Sequence, residues 1–369
     1  MRYTRVIPPV ALLLTLPTAC THTEAPTFNP TPHPTHPAQA VVIAGSPELN
    51  RDPRDGEFAL RSSAYGGGGL AVSRDGTLYY RVYHGREGRI VRLGKDGRIQ
   101  LRAVDIAADQ MFVQGNDLWL LAAKSGLAVA KVALTDWKQS PIIEWTAPSA
   151  TVEVAGVNGA ALPDKEVRGL YRDWTGAKFF ARADGTPIVV SRAGRMFEVV
   201  GSGTLREWSP PGYPEALAEV TAGGGLRPED AVTDQNGQTI LLGRAGLLYV
   251  PRTGKARYVR FPASTATLPP WSAMIALGNG DVLLLGGTTP TRTAPRPTIV
   301  RADGRMERLS WGGFKWCPGA GGGLATIASA LPGGVVRRAD GTIVLNDRRC
   351  GQVYAFKLPE PLSGTPFGR

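Results

Sequence analysis

The chain has 369 residues, of which 43% are hydrophobic, with 46 glycines, 30 prolines and a formal net charge of +11. It is long enough to bury a large core cut by many turns, and helix-forming runs are scarce, the best being Pro214 to Val220. These features argue against a helical architecture and for an all-β one.

The first twenty residues carry Arg2 and Arg5, an apolar run from Val10 to Leu16, and then Pro17-Thr18-Ala19-Cys20. That run is far too short to span a bilayer but suits the core of a secretory signal, so residues 1–19 are expected to be a signal peptide. Ala19 before Cys20 resembles the bacterial lipobox, which implies cleavage before Cys20 and its lipidation. Pro17 stands where such boxes usually carry leucine, and Leu16 lies one position earlier. The alternative is an ordinary secretory signal cut near Ala19. Three cysteines are an odd number for an exported chain, and anchoring Cys20 leaves Cys317 and Cys350 free to pair.

Residues 20–45 begin as an alternation of proline and threonine with almost no apolar content and are expected to form an extended stalk. At about 3.1 Å per residue, residues 21–40 reach roughly 60 Å. His22, His33 and His36 lie here and read as linker composition. Loss of Arg2 and Arg5 with the signal leaves a net charge of +9. That balance points either to anionic neighbours, such as lipid headgroups, envelope polymers or acidic glycans, or to a solvated basic surface.

Residues 46–362 read as six units of four short strands, with 363–369 as a disordered tail. The first unit runs from Leu70-Ala-Val through Leu78-Tyr-Tyr and Ile90-Val-Arg-Leu to Arg98-Ile-Gln-Leu. The second covers Gln110 to Thr146, the third Lys178 to Trp208, the fourth Pro228 to Phe261 and the fifth Ala273 to Leu309. The sixth is read from Leu324-Ala-Thr-Ile-Ala through Val335-Val-Arg-Arg and Thr342-Ile-Val-Leu to Gln352-Val-Tyr-Ala-Phe. Asp75-Gly76, Asp184-Gly185, Asn236-Gly237, Asn279-Gly280 and Asp340-Gly341 each precede an apolar strand, with Asn116-Asp117 in that place in the second unit. One such sheet leaves both faces uncovered, so the recurrence predicts a six-bladed β-propeller of four-stranded antiparallel blades. The ring is expected to close through the N- and C-terminal strands, with Phe58-Ala-Leu-Arg as the N-terminal partner. A Cys317–Cys350 bridge is expected across the last unit, closing a loop of about 34 residues worth about 3–4 kcal/mol.

Asp55-Gly-Glu-Phe-Ala-Leu-Arg, Gly69-Leu-Ala-Val-Ser-Arg-Asp-Gly-Thr-Leu-Tyr and Gly88-Arg-Ile-Val-Arg-Leu-Gly-Lys-Asp-Gly-Arg-Ile resemble the NHL-repeat propellers of exported bacterial proteins. Asp340-Gly-Thr-Ile-Val-Leu-Asn-Asp-Arg-Arg-Cys-Gly-Gln-Val-Tyr-Ala-Phe resembles the same repeat. The likeness spans about residues 50 to 360 and is best in the first and last units; the Asn-His-Leu tripeptide itself is absent. It implies a six-bladed recognition scaffold rather than a reaction.

Signals for chemistry are sparse. The glycine runs at 66–69, 223–225 and 319–323 lead into strands without a following Gly-Lys-Ser/Thr, so they read as close backbone packing near the axis rather than phosphate loops. His84 is the only histidine beyond the linker, too few for the several-histidine zinc sites of related propeller lyases. Gluconolactonase-like propellers hold a metal with carboxylates and asparagine, but no such trio has recognisable spacing here, so no cofactor is expected and no motif supports calcium or another divalent ion. Asp52/Asp55/Glu57, Asp164/Glu166 and Glu229/Asp230 read as solvated loop carboxylates. The turns carrying His84, Arg86 and Arg89, and Arg348 and Arg349, occupy the same connection in the first and sixth units, neighbours in a closed ring. Together with Trp119, Trp174, Trp271, Trp311 and Trp316 they suit an anionic polymer or glycan, unless the tryptophans pack between blades. The expected protein is a monomeric, non-catalytic binding module, anchored to the outer face of a bacterial membrane through Cys20 or secreted. It would recognise a protein or an anionic envelope polymer or glycan, and export disfavours nucleic acid. The alternative is a metal-dependent hydrolase or lactonase working from the central channel.

Overall fold

The computed structural model describes residues 34–35, 39–46, 52–64, 68–84, 87–124, 126–147, 152–222, 228–262, 271–278, 280–286, 297–309 and 330–358. The tight turns marked by the sequence form: Gly76, Gly185, Gly237, Gly280 and Gly341 adopt φ between +76° and +88°. In the second unit Gly115, at φ +58°, supplies the left-handed residue rather than Asn116-Asp117.

Between these turns the chain forms six sheets. β1 (Ala40–Ala44) comes first and belongs to the last blade. Blade one is β2 (Leu70–Val72), β3 (Leu78–His84), β4 (Glu87–Leu93) and β5 (Ile99–Ala103). Blade two is β6 (Gln110–Gln114), β7 (Asp117–Ala122), β8 (Leu127–Ala133) and β9 (Gln139–Trp145). β10 (Glu153–Ala155) and the helix α1 (Asp164–Asp173) precede blade three, which is β11 (Lys178–Ala181), β12 (Pro187–Val190), β13 (Met196–Gly201) and β14 (Thr204–Trp208). α2 (Tyr213–Ala222) leads to blade four, β15 (Asp230–Thr233), β16 (Thr239–Gly243), β17 (Gly246–Val250) and β18 (Arg257–Arg260). Blade five is β19 (Ala273–Gly278), β20 (Asp281–Leu285), β21 (Thr298–Val300) and β22 (Met306–Arg308). Blade six takes β23 (Pro332–Arg337), β24 (Ile343–Asp347) and β25 (Gln352–Phe356), and β1 completes it. β10 adds a fifth strand to blade three, parallel to β14.

Strand chemistry follows position in the blade. β16 and β17 are buried at every residue, because a mid-blade strand is covered on both faces by neighbouring blades, and their sequences are accordingly continuous apolar runs. The outer strands β18 and β22 have no buried residue and carry arginine and glutamate. Six separate apolar clusters fill the gaps between successive blades, from Ala71, Ile90, Met111 and Leu118 between blades one and two to Ile43, Leu78, Tyr80 and Val353 between six and one. A row of six blades left open would have only five such interfaces, so the sixth cluster is the packing record of closure.

Closure uses a different segment from the one expected. β1 pairs antiparallel with β25 through Ala40–Phe356, Val41–Ala355 and Val42–Tyr354, burying Val42 and Ile43. The ring therefore begins at residue 40, inside the stretch assigned to the stalk, and not at residue 46. Phe58 instead bridges Arg98, whose guanidinium lies 4.2 Å from the ring centroid, and Ala59–Arg61 curls into a 3-10 turn beside β1, where the Gly45 N–H donates to Ala59 O at 2.9 Å. Because β1 supplies the outermost strand, the run at Val335 is the innermost strand of blade six rather than its second; Leu324-Ala-Thr-Ile-Ala lies outside the described residues. Among the described residues two helices pack against the blade gaps: α2 buries Tyr213, Ala216 and Val220 in the cluster between blades three and four, and α1 buries Leu170 in that between two and three. α1 was not expected, although Val167, Leu170 and Tyr171 have helical spacing.

Candidate functional site: the central channel

The innermost strands β2, β6, β11, β15, β19 and β23 neighbour one another in cyclic order around the axis. All run the same way, so the channel has a mouth where they begin and a floor where they end. A cavity of about 570 Å³ extends toward the floor and another of about 310 Å³ lies at the mouth; Leu70, Met111, Phe112, Val232, Val335 and Val336 line both, so they form one passage. The combined space is in the range of small-molecule sites, apolar along its wall and polar at each end.

Inner strands of adjacent blades approach without a shared ladder, so side chains satisfy the backbone between them. Gln110 does this between blades two and three: its Nε2 donates to the Ala177 carbonyl at 2.6 Å and its Oε1 accepts from the Phe179 N–H at 2.8 Å. The Thr233 hydroxyl donates to Ala181 O at 2.8 Å across the next gap. Arg81, its side chain 3% exposed, donates from Nη1 to Ala108 O at 2.9 Å and meets Asp109 at 3.3 Å. Gly68 and Gly88 make room for it, since a Cβ at either would stand 3.3 Å from the guanidinium.

Asp230 is the chemically distinctive group at the mouth. It opens β15, and its Oδ2 accepts from the Met274 N–H of blade five at 2.7 Å while Oδ1 accepts from its neighbour Ala231 N–H at 2.9 Å. Burial of the carboxyl pushes its pKa up to about 6, opposed by the Lys178 ammonium and the two backbone donors, with Glu229 adding to the rise. It is not the solvated loop carboxylate expected from its sequence neighbourhood. Lys178, Glu229 and Ser272 line the same end.

At the floor, Asp234, Gln235, Arg337 and Arg338 line the larger cavity. Asp234 Oδ1 accepts from the Asn236 and Gln238 N–H groups at 2.9 and 2.8 Å, while Oδ2 is buried with no partner. Arg337 Nη1 donates to Leu277 O at 3.2 Å. Arg338 forms no ion pair among the described residues, its Nε is buried and unpartnered, and burial lowers its pKa, Asp340 partly opposing.

The basic turns do occupy equivalent connections at the mouth end: Arg348 N–H donates to Leu331 O at 3.0 Å, immediately before β23. Of their side chains, those of Arg89, Arg348 and Arg349 are described. Arg348 is exposed, but the Arg349 side chain is 8% exposed and turns inward, its Nη2 lying 3.8 Å from Asp347 Oδ2, and Arg89 is half-buried on β4. Asp347 is itself buried, which raises its pKa, and it accepts from Leu331 N–H at 3.1 Å and Arg349 N–H at 2.9 Å. The His84 side chain, Arg86, Cys20, Cys317, Trp311 and Trp316 lie outside the described residues; Cys350 is buried. The remaining tryptophans pack: Trp174 is fully buried beside Trp145 and Phe197, Trp271 meets Phe261 edge-on, and Trp119 stacks with Phe112. Among the described residues no three His, Cys, Asp or Glu side chains group as metal ligands, and no helix is long and apolar enough to cross a membrane. Sequence reasoning missed Asp234 and Arg338; the one signal was their place beside the turn glycines, each three residues before its glycine, Gly237 and Gly341.

No family model matches the chain, and no curated protein sequence matches it. Solved structures do. A structural-genomics protein of unknown function from Bacteroides thetaiotaomicron is 9% identical, with a TM-score of 0.54 over 86% of this chain and 75% of that one. An auxiliary nutrient binding protein from Bacteroides ovatus is 9% identical, with a TM-score of 0.50 over 86% of this chain and 76% of that one. Virginiamycin B lyase from Staphylococcus aureus is 11% identical, with a TM-score of 0.45 over 80% of this chain and 96% of that one. Identities this low speak to architecture alone, and the architecture is that of an all-β, six-bladed propeller.

Proposed function

We propose that the chain is an exported, non-catalytic binding propeller of the NHL type whose ligand enters the central channel. The observation that carries this reading is the axial passage itself: an apolar wall formed by inner strands, with polar groups held at the mouth and at the floor. The inward turn of Arg349 toward Asp347 supports the channel over the basic turns as the ligand's place. Arg2, Arg5 and the short apolar run to Leu16 support export, and Ala19-Cys20 supports a lipid anchor holding the ring outside a bacterial membrane on the stalk before β1. An intact-mass measurement of mature protein beginning at diacylated Cys20 supports the anchor; an uncut leader refutes export.

The channel reading is tested with Val336→Phe, which narrows the passage. Any small ligand found by thermal-shift screening of the full chain is expected to lose its effect in this variant. Ligands that bind the variant equally well refute the channel as the site. Stoichiometric calcium or zinc in purified protein, lost together with an esterase or lactonase activity on chelation, would replace this reading with the metal-dependent hydrolase.

A further inference from the structure

Three turns come together on the floor face of the ring, beside the gap between blades six and one. Residues 73–77 link β2 to β3, residues 94–95 follow β4, and residues 338–340 link β23 to β24; with Leu93 they line a hollow of about 360 Å³. Alternation along β23 fixes which way its two arginines face. Val335 packs with the cluster between blades five and six, and Val336 with the one between six and one. Arg337 follows Val335 and donates to the Ala276 and Leu277 carbonyls of blade five at 3.4 and 3.2 Å. Arg338 borders the channel floor but follows Val336 toward blade one, where it lines the hollow.

The charges around the hollow are unevenly satisfied. Asp75 and Asp340 hold the same place in two Asp-Gly-Thr turns, and each carboxylate is taken up by its own threonine. The Thr77 N–H and hydroxyl donate to Asp75 at 3.2 and 2.9 Å, and those of Thr342 donate to Asp340 at 2.9 and 3.1 Å. The Ser73 hydroxyl donates to Asp75 as well. Arg74, Lys95 and Arg338 form no ion pair among the described residues; Lys95 acts on Asp75, and Asp340 on Arg338, through the field alone.

Arg338 differs from the other arginines that burial and charge perturb. Arg182, Arg195 and Arg301 each meet two carboxylates at 2.6 to 2.9 Å, which raise their pKa values. Arg338 is half-buried without such a partner, and burial lowers its pKa. Its Nε is enclosed, so its two Nη atoms are the donors that a guest can reach. A desolvated guanidinium that the chain leaves without a counter-charge gains strongly from an anion.

We propose that this hollow binds a singly charged oxyanion, a carboxylate or a phosphodiester, held by the Arg338 Nη donors with Arg74 and Lys95 of blade one beside it. Three cations against two carboxylates leave one positive charge in the lining, which favours a monoanion over a dianion. A guanidinium fork matches the paired oxygens of either group. Arg74 and Lys95 lie outside the lining of the passage, so this site and the channel stand or fall separately.

The test is titration calorimetry of the full chain at low ionic strength, with sodium glucuronate and sodium dimethyl phosphate as probes and glucose as the uncharged control. Binding of either anion without binding of glucose is expected, and the anion that binds tells a sugar acid from a phosphodiester. Arg338→Gln should weaken that binding about tenfold and Lys95→Gln about threefold, since a guanidinium fork contributes more than an exposed ammonium. Arg260→Gln removes the same charge from the exposed outer strand of blade four and should leave the affinity unchanged. Failure of both anions to bind, equal binding of glucose, or equal weakening by Arg260→Gln overturns the proposal. Weakening by Arg338→Gln with none by Lys95→Gln overturns it too, because the anion would then meet Arg338 from the channel.

Discussion

Replacing Asp230 with asparagine should stabilise the protein in mild alkali and destabilise it in acid. At 1.36 kcal/mol per pH unit, the rise of its pKa from the ordinary 3.8 to about 6 means that the charged form burdens the folded state by about 3 kcal/mol. Water in the channel mouth reduces this to about 2 kcal/mol, because the residue retains some exposure there. The sign follows from proton binding: between pH 3.8 and about 6 the folded chain holds a proton that the unfolded chain has released, so this group's contribution to stability falls as pH rises through that interval. The substituted amide carries no charge but has one carbonyl oxygen for the two N–H donors, Met274 and Ala231, now served by two, and losing one bond costs about 1 kcal/mol. The Asp230→Asn variant should therefore be about 1 kcal/mol more stable than the natural protein at pH 8 and about 1 kcal/mol less stable at pH 3, where both states of the natural chain hold the proton. With an unfolding entropy of about 2.1 cal/mol/K per residue over about 320 folded residues, each corresponds to a Tm change of about 1.5 °C. Calorimetric melts at half-unit steps from pH 3 to 8 should show the two Tm curves crossing near pH 4.5. Parallel curves, or a variant less stable at every pH, would refute the account of Asp230 as a buried acid held against its charge.

A chain starting at residue 46 lacks β1, leaves β25 with an open edge and uncovers the cluster containing Ile43; it should melt at least 10 °C lower or associate through the edge, as scanning calorimetry and size-exclusion chromatography would show. Oxidised full-length protein should yield a Cys317–Cys350 peptide by mass spectrometry, and reduction should lower its denaturation free energy by about 3–4 kcal/mol in a urea titration; free thiols at both positions in native protein would remove the bridge.

How much of this was readable in advance differs from element to element. The strands of blades two to five were visible because a mid-blade strand is buried on both faces and leaves a run such as Thr239-Ile-Leu-Leu, closed by a turn glycine. β1 was hidden by its position, directly after the proline-rich segment, where composition suggested a stalk although Ala40-Val-Val-Ile-Ala has strand-forming residues. α1 was hidden by its own chemistry, since six of its ten residues are charged and only Leu170 is fully buried. Arg349 looked like a surface residue beside Arg348; in the turn that links β24 to β25 Arg348 is exposed while the Arg349 side chain is 8% exposed and lies 3.8 Å from Asp347.

What the amino-acid order determined by itself was local: where strands run, where glycine turns the chain, that the units recur six times, and so the class of fold. Those features depend on residues within a few positions of one another, through backbone conformation and the two-sided burial of short strands. Only the tertiary structure decided which segment closes the ring, that Asp230 is enclosed and carries a raised pKa, and that Asp234 and Arg338, 104 positions apart in sequence, share one cavity. Burial and electrostatics at those sites arise from neighbours on other blades, brought close by closure of the ring, and no spacing along the chain encodes that approach.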